Sequence, residues 1–185
     1  MGLKEHITRL ASPDAKARDS AAEEIYIAGS ILARRAASAW LKDSDLIGLI
    51  GADPKITVGV AVPRDLFIRI REANGTPQLA KVPPDQDAEE FEIHFPGLYF
   101  DVLTSKAPEG NGAIARYLSK FGAGIQQVEF LCSDVDRATA VLRERFGVAA
   151  VYPGARAGAD STRVNFLLVT TPENEKVLIE LYEKK

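Results

Sequence analysis

The sequence predicts an α+β fold: an N-terminal helical extension followed by two copies of one strand–helix–hairpin–strand unit, the βαβββ pattern. Three observations predict it. Apolar residues in the first stretch recur at helical spacing. From Lys55 onward the period changes to two. The order of elements over residues 55–104 then returns over residues 122–183. These readings divide the chain into a helical extension, 1–52, and a two-module domain, 53–185, with module one at 55–104 and module two at 122–183.

Ser12-Pro13-Asp14 reads as a helix start, with Ser12 as the cap, Pro13 in the first turn and Asp14 against the helix dipole. Ala21, Ile25, Ala28 and Leu32 then form one apolar stripe. Gly29-Ser30 predicts a break or kink, with a second segment to Trp40-Leu41 and a short helix from Ser44 to Gly51. The stretch around Ser12 has the look of the first helix of a HEAT-type repeat. A single such unit cannot bury its own core, so a helical extension packed on the main domain or on a partner is expected.

Ile56 to Val62 reads as a strand, Asp65 to Ala73 as a helix stopped by Asn74-Gly75, and residues 77–88 as a proline-rich loop. Phe91–Phe95 and Leu98–Leu103 make a hairpin across Pro96-Gly97, and a short helix is expected around Ala113–Leu118. The second copy has a strand at Gly124–Phe130, a helix at Val135–Phe146, a glycine-rich hairpin over residues 152–160 and a closing strand at Val177–Tyr182. Asp134 and Asp136 read as N-cap and first-turn residues of that helix.

The 185 residues carry a net charge of −3, which argues against a nucleic-acid surface. The single cysteine, Cys132, permits no internal disulfide and reads as a buried structural thiol. No apolar run has the length of a membrane span, and the N-terminus lacks the apolar core of a signal peptide. A cytoplasmic protein with no membrane or nucleic-acid partner is expected.

Side chains alternate across a strand, so polar residues on alternate positions share a face. Thr57 opens the first copy and Asp101 closes it; Gln127 opens the second and Glu180 closes it. Glu129 shares the face of Gln127, and His94 shares one with Glu92, opposite Phe91, Ile93 and Phe95. Tyr99 and Tyr182 flank Asp101 and Glu180. Arg163 and Asn165 turn inward if Val164 and Phe166 pack outward, and with Arg156 could hold a carboxylate or phosphate.

These residues resemble the vicinal oxygen chelate superfamily, which includes glyoxalase I, methylmalonyl-CoA epimerase and bleomycin-resistance proteins. Gly124-Ile-Gln-Gln-Val-Glu-Phe130 stands where the epimerase and glyoxalase-like branch has Gly-Ile-His-His-Ile-Ala-Phe, and Leu178-Ile-Glu-Leu181 matches its Leu-Ile-Glu-Leu. Leu98 to Thr104 and Ile56 to Val62 occupy the corresponding strands of the first module. The resemblance implies a cupped mixed sheet with helices outside. It implies four metal ligands at Thr57, Asp101, Gln127 and Glu180, with both histidine positions replaced. Such an oxygen-only set suits Mg²⁺ or Mn²⁺ ahead of Zn²⁺ or Ni²⁺.

Two functions follow from it. One is a metal-free relative that binds a small molecule in the cup through a degenerate metal site. The other is a divalent-metal-dependent lyase or isomerase acting on a small oxo or hydroxy acid or an acyl thioester. Glu129 or His94 would then carry the proton, and Arg163, Asn165, Tyr99 and Tyr182 would hold the substrate. Glu129 has a competing role as the partner of an arginine such as Arg163 or Arg116. Family sheets often pair between chains, so a homodimer is compatible with the resemblance, although two modules in one chain can close a cup alone.

Overall fold

Helix formation at the N-terminus begins earlier than the sequence pattern indicates. The computed structural model describes residues 1–184; Lys185, the last residue of the expected two-module domain, lies outside them. The chain resolves into two units, one of residues 1–29 and 58–126, the other of residues 30–57 and 127–185.

In the first unit α1 (Leu3–Arg9) buries Ile7, and Gly2 N donates to Glu5 Oε2 at 2.8 Å. The cap of α2 (Ala15–Ala36) falls two residues later than expected: Asp14 Oδ1 accepts from Lys16 N at 3.1 Å, while Ser12 Oγ accepts from Asp14 N. The helix also runs unbroken through Gly29-Ser30. Gly29 is required by packing there, since a Cβ on it would lie 2.5 Å from Val58 Cγ2. Ala21, Ala22 and Ile25 are buried on the same helix.

Strand β1 (Ile56–Ala61) is buried along its whole length, as expected of a strand covered on both faces. Helix α4 (Arg64–Ala73) buries Leu66, Phe67 and Ile70, and Phe67 meets Phe91 edge-on at 4.7 Å. Asn74 closes this helix and donates Nδ2 to Ile70 O and to Leu10 O, at 2.7 and 2.9 Å, which ties α4 to the end of α1. Residues 76–88 run as loop, in keeping with their three prolines. Strands β2 (Glu89–Phe95) and β3 (Leu98–Thr104) form the expected hairpin, turned by Gly97 at φ 74°. Strand β3 also pairs in parallel with β1, giving the order β2-β3-β1. Helix α5 (Ala113–Phe121) lays Ile114 on Ala61, Ala88 and Leu103, and Tyr117 donates its hydroxyl to Ile125 O at 2.8 Å.

In the second unit the end of α2 leads through a single turn at Trp40–Lys42 to α3 (Ser44–Ile50). Asp43 caps α3, accepting from Asp45 N and Leu46 N, and Arg145 reaches both Asp43 and Asp45. Strand β4 (Gly124–Leu131) leads to α6 (Val135–Phe146), capped by Asp134 as expected and ended by Gly147 at φ 63°. Strands β5 (Arg156–Ala157), β6 (Arg163–Thr170) and β7 (Lys176–Glu183) complete the module in the order β4-β7-β6-β5. Strands β4 and β7 run parallel, and β7-β6 and β6-β5 antiparallel. The α+β class, the mixed strand pairing and the helical N-terminal segment are those the sequence predicts.

Candidate functional site

The register of β4 against β7 creates the site of the second unit. Glu129 lies directly opposite Glu180, and Gln127 is two residues before Glu129 on the same face. Gln127 and Glu129 are buried, at 7% and 6% exposure, and Glu180 is half-buried. Gln127 Nε2 donates to Glu129 Oε1 at 2.9 Å and to Glu180 Oε2 at 2.7 Å. One amide nitrogen therefore serves two carboxylates. Each bond is to an acceptor that carries charge when ionised, which makes it stronger than an amide–amide contact.

The β6 residues beside this pair are apolar. Phe166 of β6 stands opposite Glu180, Leu168 opposite Leu178, and Val164 opposite Tyr182. Tyr152 meets the Phe166 ring edge-on at 6.2 Å, and the Arg156 guanidinium lies 4.6 Å over the Tyr152 ring. Two acids bridged by an amide and walled by aliphatic and aromatic side chains can hold a polar ligand group while sheltering an apolar one.

Arg163 and Asn165 lie on the opposite face of β6, the reverse of the inward orientation expected for them. Arg163 pairs with Asp136 of α6 and Glu183 of β7. Asp136 Oδ1 also accepts from Ala155 N at 2.9 Å. That amide and Arg163 hold the Asp136 carboxyl below the usual carboxylate range. Asn165 is fully buried; its Oδ1 accepts from Tyr152 N and Phe166 N, and its Nδ2 donates to Tyr152 O. Both residues hold the segment 152–155 against the sheet and are not brought to Glu180. The register decides this: with Phe166 opposite Glu180, the neighbours of Phe166 in β6 turn to the other face, a long-range pairing that the local sequence pattern does not record.

In the first unit Asp101 stands opposite Glu92 on one side and Gly59 on the other, and Tyr99 stands opposite His94. His94 Nε2 lies 3.4 Å from Glu92 Oε2, and both side chains are largely exposed. The expected residues His94, Tyr99 and Asp101 thus share one hairpin face, together with Glu92. Thr57, on β1, is buried at 6% exposure. Arg116, named as a rival partner for Glu129, donates to Asn111 O. Cys132 is buried, and burial pushes its thiol up to about 11, so the thiolate is not formed near neutrality. Among the described residues no three His, Cys, Asp or Glu side chains gather closely enough to hold a metal ion, and no helix is long and apolar enough to cross a membrane.

No family model and no curated protein matches the chain. Solved structures do. A methylmalonyl-CoA epimerase from Mycobacterium tuberculosis superposes with a TM-score of 0.57 and 30% identity, over 72% of this chain and 89% of that one. The chain belongs to the vicinal oxygen chelate superfamily. A Streptomyces coelicolor methylmalonyl-CoA epimerase variant, in complex with 2-nitronate-propionyl-CoA, shares 25% identity at a TM-score of 0.55, over 69% of this chain and 94% of that one. A hypothetical protein from Bacillus halodurans has the same fold at 22% identity and a TM-score of 0.57, over 72% of this chain and 96% of that one.

Proposed function

We propose that this chain binds a small molecule on the Gln127–Glu129–Glu180 face without a resident divalent metal. One observation carries the reading: Gln127 turns its amide nitrogen, a donor, toward Glu129 and Glu180. A cation there would require the amide oxygen to face it, and would take both carboxylates from the nitrogen. The donor set does not fit a zinc or nickel ion either, since no imidazole stands at Thr57 or Gln127. The ligand's polar group enters by exchanging hydrogen bonds with the amide and the acids. Its less polar part meets Phe166, Leu168 and Leu178.

A second reading is favoured by Glu180 and Asp101, acidic side chains at both closing-strand positions, and by the likeness to methylmalonyl-CoA epimerases. It is a divalent-metal-dependent lyase or isomerase acting on a small oxo or hydroxy acid or an acyl thioester.

Thermal unfolding with Mg²⁺, Mn²⁺, Ni²⁺ and Zn²⁺ separates the two. The metal-free reading expects no shift in the native chain and a Zn²⁺- or Ni²⁺-dependent rise in Gln127→His, which places imidazole beside the two acids. A metal present at 100 times its dissociation constant would stabilise by about 2.7 kcal/mol. A rise of that order in the native chain, lost in Glu180→Ala, would establish the metalloenzyme reading instead.

A further inference from the structure

The first unit contains a second recess that the acid pair does not account for. It is an open surface recess of about 480 Å³ between the loop before α5 and one side of that helix, and the polar side chains that line it are exposed. Arg116 and Lys120, one helical turn apart, line it together with Ser119, Asn111 and Glu109.

The loop is built tightly. Asp87 Oδ2 accepts from Ser105 Oγ at 2.8 Å, and Asp87 Oδ1 accepts from Ala107 N at 3.1 Å. Gly110 N closes a turn on Ala107 O at 2.8 Å. A Cβ at Gly112 would lie 2.8 Å from Asp87 Oδ2, and one at Gly110 would lie 2.9 Å from Ala107 O. A side chain at Gly112 would crowd the Asp87 carboxylate, and one at Gly110 would crowd the Ala107 carbonyl, so the loop that carries Glu109 and Asn111 follows a path suited to glycine at both positions. Arg116 donates to Asn111 O, so its guanidinium is oriented by the loop.

We infer that this cavity binds the phosphate group of a small phosphorylated molecule. Two cations on adjacent turns with a hydroxyl between them match a tetrahedral dianion, which takes a fork from arginine, a point charge from lysine and a donor from serine. Glu109 would repel a bare anion placed against it. It orients the ligand instead, accepting from hydroxyl groups on the body of the molecule while the phosphate lies on the α5 side. Asn111 offers a donor and an acceptor to the same hydroxyls. Phosphorylated polyols and sugars combine both features; inorganic phosphate has only the first.

The test is isothermal titration of the full chain with glycerol phosphate, with inorganic phosphate and with glycerol. Binding is expected for glycerol phosphate, more weakly for inorganic phosphate and not for glycerol. Lys120→Gln and Arg116→Gln should each weaken glycerol phosphate by about ten-fold, the usual effect of losing one charge-assisted contact. Glu109→Gln should narrow the gap between glycerol phosphate and inorganic phosphate. Lys120 Nζ lies 4.9 Å over the Phe121 ring of its own helix, so its variant keeps the test valid if Arg116→Gln disturbs the loop. Lys176→Gln, on β7 of the other unit, controls for general charge. Failure of glycerol phosphate to bind, or equal weakening by Lys176→Gln and Lys120→Gln, would overturn the assignment.

Discussion

Replacing Gln127 with leucine tests the centre of the site, because the change keeps most of the volume and deletes the nitrogen that serves both acids. Each amide-to-carboxylate bond contributes about 1.5–3 kcal/mol when its acceptor is charged. Glu129 is 6% exposed, so its lost bond is not replaced by solvent. Glu180 is half-buried, and water recovers part of its loss. The two acids also stand directly opposite each other in the sheet, where two ionised carboxylates repel and the pair is driven to take up a proton once the donor is gone. The net cost is therefore about 2–4 kcal/mol near neutral pH. For a chain of this length each kcal/mol lowers the unfolding midpoint by roughly 2–4 °C, so a fall of about 4–16 °C is expected. The assay is urea and thermal unfolding of Gln127→Leu beside Gln127→Leu/Glu129→Gln. The double variant should recover part of the loss, because removing one charge relieves the pair. A Gln127→Leu chain within about 0.5 kcal/mol of the parent would refute the bridging role, and so would a double variant less stable than the single one.

Gly29→Ala follows the opposite logic to helix propensity. Alanine favours a helix by about 1 kcal/mol, but its Cβ would enter the Val58 side chain, so a net loss of about 1–3 kcal/mol is expected. Val58→Ala in the same chain should return part of it, and urea midpoints of the three variants decide. For Asp136 the folded carboxyl titrates below its unfolded counterpart. Its contribution is therefore complete above the unfolded value and is lost as pH falls from about 4 through the folded one. Asp136→Asn should flatten the acid side of the stability profile there, with little change in its shape above about pH 5; an unaltered acid limb would refute the coupling.

The strands and their faces were legible wherever one face is apolar and the other polar. Phe91, Ile93 and Phe95 placed His94 and Glu92 together, and the pattern around Gln127, Glu129 and Glu180 placed the three on one surface. Where both faces of a strand carry apolar residues the pattern is silent, and β6 is such a strand. Asn165 is fully buried by serving the Tyr152 backbone, a role that no local period records. The register against β7, a long-range property, decides which side of β6 meets the acids. Gly29 illustrates the same limit in a helix. Read locally it is a breaker; in the fold it is the point where a helix and a strand come closer than any side chain permits. Helix α1 was missed because its seven residues make only two turns and bury only Ile7, too short a run for a helical period to stand out.

The amide between Glu129 and Glu180 also has a genetic consequence. Glutamine and histidine codons differ only in their third base, so a single substitution in the gene would put imidazole at position 127, beside two carboxylates already aligned in the sheet. A population carrying this sequence would sample that variant continually by mutation, without passing through an intermediate residue. Growth in zinc- or nickel-rich medium would then act on an existing arrangement rather than on one that had to be assembled.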